Sequence, residues 1–177
     1  MSVFDKKQFI EDLKKHEGVV LKIYPDPIHG AAAPTCGVGH LLVPGDPHYG
    51  KPIGTVITEE DRLTYLEEDV ATALANAARL YPDFSCLPGE AQQIIADMIF
   101  NLGYTGWVDI CQYYSLKTQK WGFENSLLCR LSKFKKMKAA VERRGWVEAA
   151  AEMKDSLWYS QVGARGVELV SRMKNIK

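Results

Sequence analysis

The chain has no excess of either charge: its 22 basic and 22 acidic side chains cancel. A nucleic-acid partner requires a basic face, so this balance argues against nucleic acid as the main ligand. No apolar run approaches the roughly 18 residues that a membrane span needs. The first fifteen residues are charged and amphipathic, without the apolar centre of a signal peptide. A protein made and kept in a cytoplasm, with no membrane insertion, is the expectation. The four cysteines, Cys36, Cys86, Cys111 and Cys129, lack metal-ligand spacing such as C-x-x-C. Free thiols are therefore expected in preference to a metal centre or a disulfide framework. No internal repeat or low-complexity segment is present. What is there, 177 residues of which 46% are hydrophobic, fits one globular domain with an ordinary core.

One stretch stands out against these absences. It runs Glu17-Gly18-Val19-Val20-Leu21-Lys22-Ile23-Tyr24-Pro25-Asp26 and resumes at Pro34-Thr35-Cys36-Gly37-Val38-Gly39-His40. Ser2 with Asp5 reads as a capping box, and Phe9, Ile10 and Leu13 recur at helical spacing to about His16. Glu17 then falls at the C-terminal end of a helix, where the dipole disfavours negative charge and should raise the carboxyl pKa, as a general acid requires. Val19, Leu21 and Ile23 form one face of a strand, and Val20, Lys22 and Tyr24 the other. Asp26 sits in a Pro-Asp-Pro turn, and a Gly-rich return strand ends at His40.

Residues 18–43 thus read as a small antiparallel sheet, and 44–57 as an exposed Gly/Pro-dense loop. Two carboxylates nine residues apart, one on a helix end and one in a turn, can face one concave space across a hairpin. Glycosidic bond cleavage needs this pair, a protonated acid on the leaving oxygen and an ionised group on the opposite face. A bare acidic pair also suits a solvated surface, so the whole string carries the weight. His40, with no second His or Cys near it, reads as structural.

Thr58 with Asp61 makes a second capping box, and Leu63, Leu66, Val70, Leu74 and Ala77 follow at helical steps until Pro82. A helix over 58–80, about 33 Å long, is expected to connect a β-rich lobe (16–57) to a helical remainder (81–177 with 1–15). After Leu87-Pro88-Gly89, the segment Glu90–Leu102 with Ile94, Ile95, Met98 and Ile99 reads as a central core helix capped by Gly103. Leu127, Leu128, Leu131 and Phe134 continue a later helix through Arg143-Arg144. Its Arg130, Lys133, Lys135, Lys136 and Lys138 read as a solvated basic face.

Glu17-Gly18, Leu21-Lys22-Ile23-Tyr24, Asp26, Pro34-Thr35 and Gly37-x-Gly39-His40-Leu41-Leu42 resemble the catalytic hairpin of the T-even phage-type lysozymes, glycoside hydrolase family 24. The likeness resumes at Met98-Ile99-Phe100-Asn101-Leu102-Gly103, Thr105-Gly106, Gly122-Phe123-x-Asn125-Ser126-Leu127, Trp146-x-Glu148-Ala149-Ala150, Trp158-Tyr159-x-Gln161 and Arg165. It spans nearly the whole chain, with extra length near 27–33, 107–121 and 132–143. The resemblance implies a mostly helical α+β fold with two lobes, one lysozyme-like catalytic domain over 1–177. It implies an endolysin-type muramidase that hydrolyses the β-1,4 bond between N-acetylmuramic acid and N-acetylglucosamine of peptidoglycan, with inversion. Glu17 would be the acid, Asp26 the opposing carboxylate, and Thr35 would help hold the attacking water. Arg165 would lie beside Glu17, and His40 would pair with Asp69.

The same resemblance gives Leu41, Phe100, Ser126 and Glu152 as substrate contacts, although the family carries a neutral amide where Glu152 stands and Phe100 also suits a core. It implies no cofactor, no metal, a monomer, and release by a holin or another factor from the host cytoplasm to the wall in the periplasm. Contact with wall polyanions is then a second use for the basic face. Two other functions share these residues. One is a non-catalytic module that binds peptidoglycan or a partner, which the long Asp26–Thr35 spacing and zero net charge favour and the Glu17, Asp26, Thr35 trio opposes. The other is a secreted antibacterial lysozyme toxin of the same chemistry.

Overall fold

The computed structural model describes residues 3–26, 30–103 and 130–177. It divides into two compact units, Asp5–Thr72 and Met1–Phe4 with Ala73–Lys177. Ser2, Pro27, His29, Cys111, Cys129, the aromatic-rich segment 107–121, the match at 122–127 and Leu128 lie outside the described residues.

The Asp5–Thr72 unit opens with α1, Lys6–Glu17. Asp5, expected at the third position of a capping box, is itself the N-cap. Its carboxylate accepts from the Lys7 amide at 3.0 Å and the Gln8 amide at 3.1 Å, which satisfies two of the orphan donors a helix start exposes. Phe9 and Leu13 are buried. Gly18 ends the helix at φ 75, donating its amide to Lys14 O at 3.0 Å.

A three-stranded antiparallel sheet follows in the order β1 (Val20–Asp26), β2 (Gly30–Gly37) and β3 (His40–Leu41). The three residues expected on one face are covered unequally: Ile23 is fully buried, but Val19 and Leu21 are 48% and 41% exposed. The free edge of β1 explains this. Ile23 N donates to Thr55 O and Gly54 N to Ile23 O, each at 2.8 Å, and Ile57 N donates to Leu21 O at 3.1 Å, so a loop pairs along this edge and, of the three side chains, covers that of Ile23. The segment 44–57, expected to be exposed throughout, therefore seals a sheet edge that would otherwise invite pairing. Ile57 joins Ile23, Cys36, Leu42 and Tyr65 in the small core of this unit.

The pairing between β1 and β2 shifts register twice, between Val20 and Tyr24 and again between Pro25 and Asp26. Tyr24 faces Thr35 and Pro25 faces Pro34, but Asp26 faces Gly30. Ala31, Ala32 and Ala33 have no counterpart on β1, so the extra length of this segment is absorbed as a bulge inside β2. Asp26, expected in a Pro-Asp-Pro turn, is instead the last residue of β1, because its pairing with Gly30 carries the ladder one step past Pro25.

Helix α2 runs Glu59–Leu80, and the boundary between the units falls within it. Its capping box forms as the sequence indicates: Asp61 N donates to Thr58 Oγ1 and Thr58 N to Asp61 Oδ2, both at 3.0 Å. Leu66, Val70 and Ala77 are buried, while Leu63, in the first turn, is 47% exposed.

In the larger unit, α3 (Gly89–Leu102) is buried on nearly every side, as the apolar run predicts, and Gly103 caps it at φ 65. Around it lie α4 (Lys135–Glu142), α5 (Trp146–Lys154), α6 (Leu157–Val162) and α7 (Ala164–Lys174). The single helix expected up to Arg143-Arg144 is broken: a 3-10 turn at Arg130–Lys133 stops at Phe134, and α4 starts afresh. Phe134 takes φ −81, ψ 57, outside the helical region, and its side chain packs on the core.

The buried guanidinium of Arg165 on α7 donates through Nε to Asp97 Oδ1 on α3 at 2.8 Å. Asp97→Asn removes the charged acceptor from this buried pair and is expected to destabilise the protein by about 1–3 kcal/mol, read as a fall in the urea midpoint. A loss under 1 kcal/mol would show that Arg165 finds equal stabilisation elsewhere.

Candidate active site

The sequence places glycines where the chain must turn beside a carboxylate. Gly37 (φ 65) and Gly39 (φ 76) take the left-handed conformation that L side chains resist, and between them the chain reverses from β2 into β3. Glu17, half-buried at the end of α1, rests its carboxyl group against the bare Cα of Gly39. A Cβ there would meet Glu17 Oε2 at 3.6 Å. The glycine thus serves the turn and leaves one side of the carboxyl group uncrowded.

Strand alternation puts Tyr24 and Asp26 on one face of β1. Thr35 pairs with Tyr24 from β2 and with Leu41 from β3. Thr35 is buried and donates its hydroxyl proton to Ala33 O at 3.1 Å. Half-buried Tyr24 responds to both candidate carboxylates. Burial pushes its phenol pKa up most, and the charges of Glu17, Cys36 and Asp26 push it further. The charges of Glu17 and Asp26 thus both reach Tyr24, Thr35 pairs with it across the strands, and all four lie in one compact unit.

His40 holds the return strand in place. Its Nδ1 lies 2.9 Å from Asp69 Oδ2 on α2, the pairing that the resemblance implies, and its Nε2 lies 3.2 Å from Asp46 Oδ2. The ring stacks on Tyr65 at 4.2 Å between centroids. Burial lowers the His40 pKa, but the hydrogen bonds and charges of Asp69 and Asp46 outweigh it, so the net shift is upward. Asp46 in turn accepts from the Val43 amide. Tyr65 is fixed by its hydroxyl, 2.8 Å from His48 Nδ1.

The remaining candidates belong to the other unit. Phe100, on α3, is partly buried and packs on the core. Glu152, on α5, lines a groove of about 660 Å³ with Lys133, Phe134, Lys136 and Trp158. Trp158 is anchored by its indole N–H, which donates to Asn101 Oδ1 at 2.8 Å. Arg165 carries the Asp97 pair described above, and Ser126 lies outside the described residues.

The basic face divides in two. Lys138 pairs with Glu142, Arg143 with Glu148 and Arg144 with Asp83, whereas Arg130, Lys133, Lys135 and Lys136 form no ion pair among the described residues and line the groove. Among the described residues no group of three or more His, Cys, Asp or Glu side chains could hold a metal ion.

Three contributors were not singled out from sequence. Asp46 lies in a Gly/Pro-dense stretch with no periodicity, so its closure on His40 left no signal. Tyr65 sits at core spacing on α2, which hides its stacking role. Tyr24 was visible only as one face of a strand, although its place two residues before Asp26 was the available clue.

A family model described as phage lysozyme matches residues 14–155. Among curated proteins, the chain is similar to Probable T4-type lysozyme 2 of Dictyostelium discoideum, 23% identical over 178 residues that cover 90% of this chain and 89% of that protein.

The His40 arrangement makes stability depend on pH in a defined direction. A histidine whose pKa is raised by folding contributes fully below its ordinary value near 6.5. That contribution disappears as pH climbs through the raised folded value. Asp69→Asn is therefore expected to cost about 1.5–3 kcal/mol at pH 5.5, the range for a hydrogen bond to a charged partner, and clearly less at pH 9. Equal losses at both pH values would show that His40 is neutral throughout.

Proposed function

This chain belongs to the phage lysozyme family, glycoside hydrolases of the lysozyme type, and from that premise we propose that it cuts peptidoglycan by the action of Glu17, Asp26 and Thr35. The bond is the β-1,4 link between N-acetylmuramic acid and N-acetylglucosamine. The observation that supports this reading is the backbone pairing of Thr35 with Tyr24, two residues before Asp26, in the same compact unit as Glu17, whose carboxyl group lies against Gly39.

Glu17 donates its proton to the leaving glycosidic oxygen. It stands at a helix C-terminus, where the backbone disfavours a negative charge. Asp26, ionised, faces the opposite side of the sugar and draws a proton from water as the oxocarbenium-like character develops. The Thr35 hydroxyl has already committed its proton to Ala33 O, so its lone pairs are left to accept. A water that donates one proton to Thr35 and the other to Asp26 keeps an oxygen lone pair directed at the anomeric carbon, and attack from that side inverts the configuration. Leu41, Phe100, Ser126 and Glu152 contact the glycan. Arg165 supports Glu17, and His40 with Asp69 supports the hairpin. The enzyme acts as a monomer without a cofactor. Its role is host-cell lysis, after release by a holin or similar factor from the cytoplasm to the periplasmic wall.

A binding module without catalysis is the second reading, favoured by the bulge at Ala31–Ala33 between Asp26 and Thr35. Glu17→Gln decides between them. It preserves shape and removes the proton donor, so release of reducing ends should fall by about 10²–10⁴-fold, the usual worth of general acid help. Peptidoglycan binding and melting temperature should hold. A wild-type protein that binds peptidoglycan and releases no reducing ends would establish the module instead.

With 22 charges of each sign, the enzyme lacks the long-range attraction that a cationic wall-lytic enzyme has for its anionic substrate. Lysis should fall only a few-fold between about 0.01 and 0.15 M salt, over which the screening length shrinks from roughly 30 to 8 Å. Replacing Lys133 and Lys136 with Gln should flatten the remaining slope. A steep slope that survives this replacement would place the attraction elsewhere.

A further inference from the structure

Tyr24 is the large side chain beside the two carboxylates that the mechanism does not yet use. It lies on the Asp26 face of β1, paired with Thr35, and is half-buried. Buried or half-buried tyrosines ordinarily give the phenol a partner. Tyr65 in the same unit does so through His48. The Tyr24 hydroxyl, by contrast, makes no hydrogen bond among the described residues, although the charges of Glu17 and Asp26 both reach it.

We infer that Tyr24 is a glycan-contacting residue, whose hydroxyl hydrogen-bonds the sugar ring that Glu17 and Asp26 flank. The inference rests on the muramidase reading, and it adds a contact to that site. Chemistry favours a phenol at this place. A Lys or Arg between the carboxylates would lower both of their pKa values and oppose the acid role of Glu17. A phenol adds a donor with no charge, and both burial and the neighbouring carboxylates hold it protonated across the working range of a lysozyme. Its ring gives an apolar face to the sugar while its hydroxyl meets the polar rim, a division of labour that suits a saccharide.

The test is Tyr24→Phe in the full chain, followed by reducing-end release from peptidoglycan across pH and by calorimetric binding of chitotetraose. The phenylalanine keeps the ring, and the lost hydroxyl has no partner among the described residues, so melting should stay within a few degrees of wild type. The expected result is a fall in kcat/KM of about 5–100-fold, the range for leaving one buried polar group unpaired, with both limbs of the pH profile unmoved and weaker chitotetraose binding. Activity and binding within twofold of wild type would overturn the inference. So would a shift of either pH limb, since Tyr24 would then act on the carboxylates and not on the sugar. A variant that fails to fold would show that the hydroxyl serves the protein and not the sugar, and would overturn it as well. Wild-type protein that releases no reducing ends would sink the muramidase reading separately, and the chitotetraose comparison would still decide whether Tyr24 touches glycan.

Discussion

The candidate site hangs on a histidine held by carboxylates at both ring nitrogens. Strand β3 is two residues long, too short to keep its own register by backbone pairing. His40 compensates with side-chain bonds to Asp69 on α2 and to Asp46 in the following turn, and its ring lies flat on Tyr65. With those bonds in place, Leu41 stays opposite Thr35, and the turn through Gly37 and Gly39 stays against Glu17. The polar network is well satisfied: Asp46 has the Val43 amide, and Tyr65 has His48. A network of this kind fixes one arrangement, because any slip would leave buried polar atoms unpaired.

Much of this was legible in the residues. The helix end at Glu17, the capping box at Thr58, the long helix to Leu80 and the core helix before Gly103 follow from local signals, and each forms where the pattern indicates. The pairing of His40 with Asp69 came from the family resemblance and holds in the structure. The misreadings share one physical origin. Period-two alternation says which side chains share a face, and tertiary packing decides whether that face is covered. The loop that pairs with the backbone of Leu21 and Ile23 covers the Ile23 side chain and leaves those of Leu21 and, just before β1, Val19 largely exposed. The break at Phe134 has the same cause: packing on the core competes with helix continuation, and the apolar spacing fits both outcomes.

Charge shows a similar difference between composition and placement. The chain is neutral as a whole, yet its positive charge is not uniformly neutralised. Lys138, Arg143 and Arg144 are paired, whereas Arg130, Lys133, Lys135 and Lys136 gather along one groove beside Trp158 and Phe134. Exposed pairs like the first three contribute little stability. Their effect is to leave the groove lined by four cations without an ion pair among the described residues.

The bulge at Ala31–Ala33 is where sequence and chemistry meet most directly. Three extra residues between two functional positions could be expected to separate them. In an antiparallel ladder they need not, because a bulge takes up added chain on one strand and leaves the pairs on either side intact. Tyr24 still faces Thr35 and Asp26 still ends its strand. The bulge also supplies something, since the carbonyl that takes the Thr35 proton belongs to Ala33, one of the added residues. The insertion therefore sets which way the hydroxyl points its proton. With the proton turned toward the bulge, the oxygen is left to accept, which is the orientation the proposed hydrolysis asks of it. An insertion that first argued for a non-catalytic module thus supplies a hydrogen bond consistent with hydrolysis.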